Sequence, residues 1–294
     1  MRRLLSFIFF SVFIGTIHAY DAEVDGIYYG FIANLPKAYV TYADRLASSY
    51  TGEVVVPAQI TYGGRTYDVV SVGANAFAGC DELTSVQLPS TVRGISLCAF
   101  LGCTSLQQVS LPKTVQVVSC FSFTGCTSLQ QVIVPRHAEL LDSLTFYCCA
   151  SLTSLVLPHR IRTICQGALE HLPSMTDLYC FASVPPVLEQ GAFTLADQQK
   201  CTLHVPRETL HLYQEQPVWS DFCQIVALGD EDYKAQDYQK GDINDDGKVD
   251  ATDLALLQRI IVSLPDDSAV RWAADINADG VVNAVDYVAL AKKI

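Results

Sequence analysis

A strict 23-residue apolar repeat, two copies of an oxygen-rich twelve-residue loop 33 residues apart, and a Gly-Gly turn between β-type runs predict a mixed α/β chain. The expected architecture is a small β cap over residues 20–69, then a solenoid of short parallel strands with its own C-terminal cap over 70–228. A linker over 229–240 leads to an all-α module over 241–294 that is built on the two loops.

The chain opens with Met1-Arg2-Arg3 and a 14-residue apolar run from Leu4 to Ile17, followed by small Ala19. A basic start, a short apolar core and a small residue predict a signal peptide over residues 1–19, cleaved after Ala19. The run falls short of the ~18 apolar residues a membrane anchor needs, and no later segment reaches that length. Secretion follows, to the medium or to the cell surface. The net charge over 294 residues is −12, with 14 acids against 7 bases from Asp230 onward and 17 against 12 before it. No basic stripe exists, which excludes a nucleic-acid partner.

In the cap, Val54-Val55-Val56-Pro57 mimics a repeat strand. Gly63-Gly64, between Ile60-Thr61-Tyr62 and Arg65-Thr66-Tyr67, signals a two-residue hairpin. The repeat then sets Phe77, Phe100, Phe123, Phe146 and Leu169 at 23-residue steps, and Cys80, Cys103, Cys126 and Cys149 at the same step. Leu106, Val109 and Leu111 face inward along a short strand that Pro112 ends. Each unit buries its apolar side only against its neighbours, so the open ends need covers. Tyr213, Trp219 and Phe222 supply the bulk for the C-terminal one. The unit A-F-x-G-C-x-x-L-x-x-V-x-L-P, clearest over Ala99–Pro112 and Phe123–Pro135, resembles the leucine-rich repeats of BspA-like surface proteins, which implies a leucine-rich-repeat solenoid.

The first loop runs from Asp242 to Asp253 and the second from Asp275 to Asp286. Side-chain oxygens fall at positions 1, 3, 5, 9 and 12: Asp242, Asn244, Asp246, Asp250 and Asp253, then Asp275, Asn277, Asp279, Asn283 and Asp286. The backbone carbonyls of Lys248 and Val281 stand at position 7. Hard Ca²⁺ takes six to eight oxygens in this spacing, and Gly at position 6 permits the sharp turn. Two Ca²⁺ ions are therefore expected, one per loop. Leu254, Leu257 and Ile261 recur at helical spacing after the first loop, as do Tyr287, Leu290 and Ile294 after the second.

A loop with an exit helix, duplicated over Gly241–Ile294, is similar to a type I dockerin. That resemblance implies docking onto a cohesin-domain protein. The positions that contact cohesin in the family correspond here to Ala251, Thr252, Gln258, Arg259, Ala284, Val285 and Lys292.

Eleven cysteines would ordinarily suggest disulfides in an exported chain. Equivalent side chains on stacked rungs point in parallel, however, which is poor disulfide geometry. Cys80, Cys103, Cys126 and Cys149 therefore read as small buried hydrophobes; pairing among the other seven stays open. The histidines show no metal or catalytic grouping, no G-x-S-x-G elbow occurs, and the cap, solenoid and loop module use up the chain. A non-enzyme is expected. One outward column, Ile133, Val156 and Tyr179, turns apolar toward the C-terminal rungs and is a candidate ligand face. The function expected is a secreted binding protein: its repeats hold a protein or glycan ligand and its calcium-loaded module plugs into a cohesin-bearing scaffold or surface. Two alternatives are a component of a polysaccharide-degrading complex and a host-adhesion protein.

Overall fold

The computed structural model describes residues 20–44, 48–235, 238–244, 248–262 and 268–294. The expected signal peptide and the loop residues Asp246 and Gly247 lie outside them.

Three N-terminal strands, Ala22–Val24, Ile27–Phe31 and Lys37–Thr41, form an antiparallel meander, and the third pairs in parallel with Arg65–Val72. Strand Gln59–Tyr62 pairs with Arg65–Val72 as the expected hairpin. Both turn glycines, Gly63 and Gly64, take positive φ (58° and 76°), which a two-residue turn matching the strand twist requires. Strand Gly52–Val55 pairs in parallel with Leu83–Gln87, so the cap donates the first rung.

From there the chain coils. On one side of the coil Leu83–Gln87 pairs with Gln108–Ser110, and beyond a break in the pairing Gln131–Ile133, Ser154–Leu157, Asp177–Cys180, Thr202–Val205 and Gln224–Ala227 pair in parallel. Register places Val132, Leu155, Leu178, Leu203 and Ile225 above one another. The last strand, contributed by the C-terminal cap, carries no trace of the 23-residue pattern. Along another side two-residue strands follow the end of Arg65–Val72, with Val72, Ile95 and Val118 inward and, in a further sheet, Leu141 and Ile164. Their outward members Val117, Leu140 and Val187 are exposed.

Between the two sides, Phe77, Phe100, Phe123 and Phe146 form one stack, with ring centroids 4.9, 5.0 and 5.4 Å apart and planes within 11° of parallel. The spacing is close to that between hydrogen-bonded strands, so ring stacking and rung spacing reinforce each other. Tyr50 seals the column at the cap, its ring 4.7 Å from Phe77 and its hydroxyl donating to the carbonyl of Thr41.

The cysteine column does more than fill space. The thiols of Cys103, Cys126 and Cys149 donate to the carbonyls of Phe77, Phe100 and Phe123 one rung back, at 2.9, 3.1 and 3.1 Å. Burial raises the Cys126 thiol well above its ordinary value and pushes Cys149 up to about 12, so both stay protonated donors at neutral pH. All eleven cysteines are free thiols.

At the corner of each rung the backbone turns left-handed, at Gly79, Gly102 and Gly125 (φ 71–72°) and then at Cys148 and His171. A Cβ on Gly102 would meet nothing within 4 Å. Gly102→Ala should therefore cost only the backbone penalty, about 1–2 kcal/mol, read as a fall in the denaturation midpoint of the solenoid.

The C-terminal cap comprises α1 (Leu195–Gln198) and α2 (Leu210–Glu215) with the aromatic residues expected there. Tyr213, Trp219 and Phe222 are buried. The Tyr213 hydroxyl donates to Ala182 O at 2.6 Å and Trp219 Nε1 to Pro186 O at 3.1 Å, so each ring fills the core while its polar edge is satisfied.

Candidate calcium-binding and docking site

Beyond α3 (Asp230–Ala235), the C-terminal module is built from α4 (Ala251–Ile260), α5 (Ser268–Ala274) and α6 (Ala284–Ala291). α4 and α6 are the exit helices of the two loops. α5 enters the second loop and was not legible from the sequence, because its Ala-rich face gives little periodic contrast. Ile243, Leu257, Ala274 and Leu290 form the buried centre of the module.

The loops close by the same chemistry twice. Asp253 Oδ1 accepts the N–H groups of Ile243 and Asn244 at 2.8 and 3.2 Å, and Oδ2 accepts that of Asp250 at 2.9 Å. Asp286 does the same with Ile276, Asn277 and Asn283 at 2.8, 3.2 and 2.9 Å. Position 12 thus ties the start of each loop to its end. Position 9 caps the exit helix: Asp250 Oδ1 accepts Thr252 N–H and Asn283 Oδ1 accepts Val285 N–H, both at 2.8 Å. Each cap and its position-12 partner complete a capping box. Accepting from the backbone N–H and hydroxyl of Thr252 holds the Asp250 carboxyl below the ordinary carboxylate range.

In the second loop, Asp275 accepts from Asp279 N and Gly280 N, both at 3.1 Å, and Asn277 Oδ1 also accepts from Asp279 N, at 3.0 Å. Asp279 Oδ1 accepts from Val281 N at 2.8 Å, and Asn283 Nδ2 donates to Val281 O at 3.2 Å. One network therefore gathers Asp275, Asn277, Asp279, Val281 and Asn283, with Gly280 at φ 83° making the turn. In the first loop Asp242, Asn244, Lys248, Asp250 and Asp253 are described and Asp246 is not.

The donor set fits a hard divalent cation. It consists of carboxylates, carboxamides and a carbonyl. Asp253 and Asp286 are both 0% exposed, and among the described residues no basic side chain pairs with either. Backbone donors offset part of the cost of burying a carboxylate; a cation would offset more.

Every family-implied contact position is exposed: Ala251, Thr252, Gln258 and Arg259 on α4, Ala284 and Val285 on α6, and Lys292 just beyond it. Val288, three residues on from Val285 along α6, is exposed as well and lengthens the apolar strip. The step of three residues from Val285 to Val288 was the available signal for the latter.

The solenoid column behaves differently from expectation. Ile133 is 55% exposed, but Val156 is 9% exposed and buried with Phe181, Leu228, Tyr233, Tyr238 and Ala269, while Tyr179 and Trp272 pack on the same cluster. Tyr179 also stacks on His204, at 4.2 Å. The described residues of this stretch, 229–235 and 238–240, are thus a packed strap rather than a plain linker. Their α3 and Tyr238 lie over the apolar column, and the open ligand face expected there is largely closed. Tyr238 is held by His159 Nδ1, 2.8 Å from its hydroxyl, and by the Arg136 guanidinium, 4.4 Å above its ring.

Comparisons with known proteins agree with this architecture. The BspA type leucine rich repeat region matches in six copies over residues 70–196, and the dockerin type I domain matches residues 240–294. The crystal structure of a leucine-rich repeat protein from T. pallidum is 21% identical with a TM-score of 0.50, covering 82% of this chain and 95% of its own. A leucine-rich repeat protein from Bacteroides ovatus (20% identity, TM-score 0.38) covers 71% of this chain and 77% of its own. A leucine rich cell surface protein from Faecalibacterium prausnitzii (14% identity, TM-score 0.35) covers 73% and 96%. At these identities the T. pallidum likeness speaks to the fold alone. No curated protein matches the sequence. Both matched families are binding modules rather than catalytic ones and are typical of extracellular or surface proteins; type I dockerins typically bind calcium and imply a cohesin partner. Among the described residues no helix is long and apolar enough to cross a membrane. The chain carries BspA-type leucine-rich repeats over residues 70–196 and a type I dockerin domain over residues 240–294.

Proposed function

We propose that this chain is a secreted, non-catalytic adaptor: its solenoid holds a protein or glycan ligand, and its dockerin, loaded with two calcium ions, plugs into a cohesin on a scaffold or cell surface. The observation that carries the reading is the duplicated clamp, in which Asp253 and Asp286 make the same three backbone contacts at the same distances. Asp242, Asn244, Asp246, Lys248 O, Asp250 and Asp253 would hold one ion, and Asp275, Asn277, Asp279, Val281 O, Asn283 and Asp286 the other. Bound calcium neutralises these carboxylates and cross-links each loop.

The chain's own residues do the rest. The capping boxes set the start of α4 and α6, and Leu257 and Leu290 bury the inner faces of those helices. Ala251, Thr252, Gln258, Arg259, Ala284, Val285 and Lys292 are left facing outward for the partner. On the solenoid, Ile133 is the member of the apolar column still open to a ligand.

Calorimetric titration of the full chain with CaCl₂ should show two bound ions. Immobilised full chain should capture recombinant type I cohesin domains in millimolar calcium and release them on chelation. Absence of calcium heat, or capture indifferent to chelator, would overturn the reading.

A further inference from the structure

Between the solenoid and the second loop runs an unbroken line of contacts. Phe181 of the solenoid meets Tyr233 of α3 edge to face at 5.1 Å, and Tyr233 stacks on Trp272 of α5 at 5.0 Å, with planes 8° apart. Trp272 Nε1 donates to Asp230 Oδ1 at 3.0 Å. The Lys240 ammonium lies 4.5 Å from the centre of the Trp272 ring and 3.6 Å from Asp275 Oδ2. Asp275 is position 1 of the second loop. Lys240 is held on one side by an aromatic face and on the other by a carboxylate, and both side chains of the pair are mostly buried, at 17% and 13% exposure.

We propose that Lys240 is a built-in competitor for calcium at the second loop, and that it links loading of that loop to the seating of the dockerin on the solenoid. The inference rests on the reading of Asp275 as a calcium ligand. A divalent ion held by Asp275 stands close to the position the Lys240 ammonium occupies, in a site shielded enough that screening by solvent is incomplete. The two cations repel, so each lowers the other's occupancy by the same factor. Calcium entry therefore displaces Lys240 from Asp275 and, with it, from the face of Trp272. Trp272 in turn packs on Tyr233, which holds the strap over Val156 and Phe181. Calcium at this loop then loosens one clasp between module and solenoid at the moment the docking face is ordered. The segment that leads into the dockerin thereby regulates it.

The test is a calcium titration of the full chain followed by tryptophan fluorescence. The chain has two tryptophans, and Trp219 is buried in the solenoid cap, so the calcium-dependent signal reports Trp272 beside the second loop. Lys240→Met keeps an unbranched apolar side chain on the ring and removes the charge. It should shift the midpoint to about fivefold lower calcium, the worth of a partly shielded ion pair, and Lys240→Arg should restore the wild-type midpoint. Far-ultraviolet circular dichroism at saturating calcium checks that each variant is folded, and Lys240→Gln substitutes if the Met variant is not. Equal midpoints for the wild type and the uncharged variant, with calcium bound by both, would overturn the role of Lys240. A calorimetric titration with no bound calcium in any variant would instead overturn the calcium reading beneath it.

Discussion

Phe123→Ala should lower the stability of the solenoid by about 3–5 kcal/mol, the cost of removing a buried aromatic side chain and leaving its cavity. Phe123 sits at 0% exposure between Phe100 and Phe146, 5.0 and 5.4 Å away. Its neighbours have little freedom to close the gap, because adjacent rungs are fixed by backbone bonds at every corner: Phe100 N to Ser122 O at 2.8 Å and Phe123 N to Thr145 O at 2.9 Å. A solenoid is also a one-dimensional array in which each rung is stabilised by the two beside it. A hole in a central rung weakens two interfaces at once, whereas the same change at Leu169, near the end of the column, should cost less. Phe123→Leu should be mild, since the chain itself accepts leucine at position 169 of this column, buried to 1% exposure. Urea denaturation of the full chain measures all three. A loss under about 1.5 kcal/mol for Phe123→Ala, the range of well-tolerated core swaps, would mean that the rungs slide together and the column is not rigid.

The repeat was legible because its period is strict: when Phe, Cys, Leu and Val each recur every 23 residues, only a coil of equal turns brings like positions together. The hairpin at Gly63-Gly64 and the aromatic cover of Tyr213, Trp219 and Phe222 were readable for local reasons, backbone conformation in one case and bulk beside an open end in the other. What escaped was non-periodic or long-range. Strand Gln224–Ala227 belongs to the cap and carries no repeat signature. Tyr233 and Tyr238 stand among acids and amides, so residues 229–240 read as solvated linker, yet their rings pack on Val156 and Phe181 far back in the sequence. The apolar look of Val156 and Tyr179 was the signature of that cover. In the loops, ligand spacing was visible, while the second duty of Asp253 and Asp286 as clasps for backbone N–H groups was not. Position 12 must serve the loop and the helix together, and spacing alone reports only the first.

That double duty makes Asp286→Ala the severest single change expected in the dockerin. The substitution removes a proposed calcium ligand and leaves the N–H groups of Ile276, Asn277 and Asn283 without their acceptor, in a place where the carboxylate was 0% exposed. An unsatisfied buried donor costs about 1–3 kcal/mol; the three donors here are part-buried and within reach of water, so their joint loss is on the order of one such donor, about 1–3 kcal/mol. Calcium binding would contribute about 2.7 kcal/mol more at a concentration a hundredfold above its Kd. A segment this small, centred on four buried residues, has little stability to lose. In millimolar calcium the variant should show no melting transition for residues 241–294 and no capture of cohesin domains, while the solenoid transition persists near its wild-type temperature. Persistence is expected because the aromatic strap is anchored to the solenoid independently of the loops, through His159, Arg136 and Phe181. Asp286→Asn, which keeps one oxygen acceptor, should be intermediate. If the solenoid instead melted together with the module, Ala269 and Trp272 would be integral to the solenoid's own cover; if the Ala variant kept its calcium-dependent transition, the clasp would lie elsewhere in the loop.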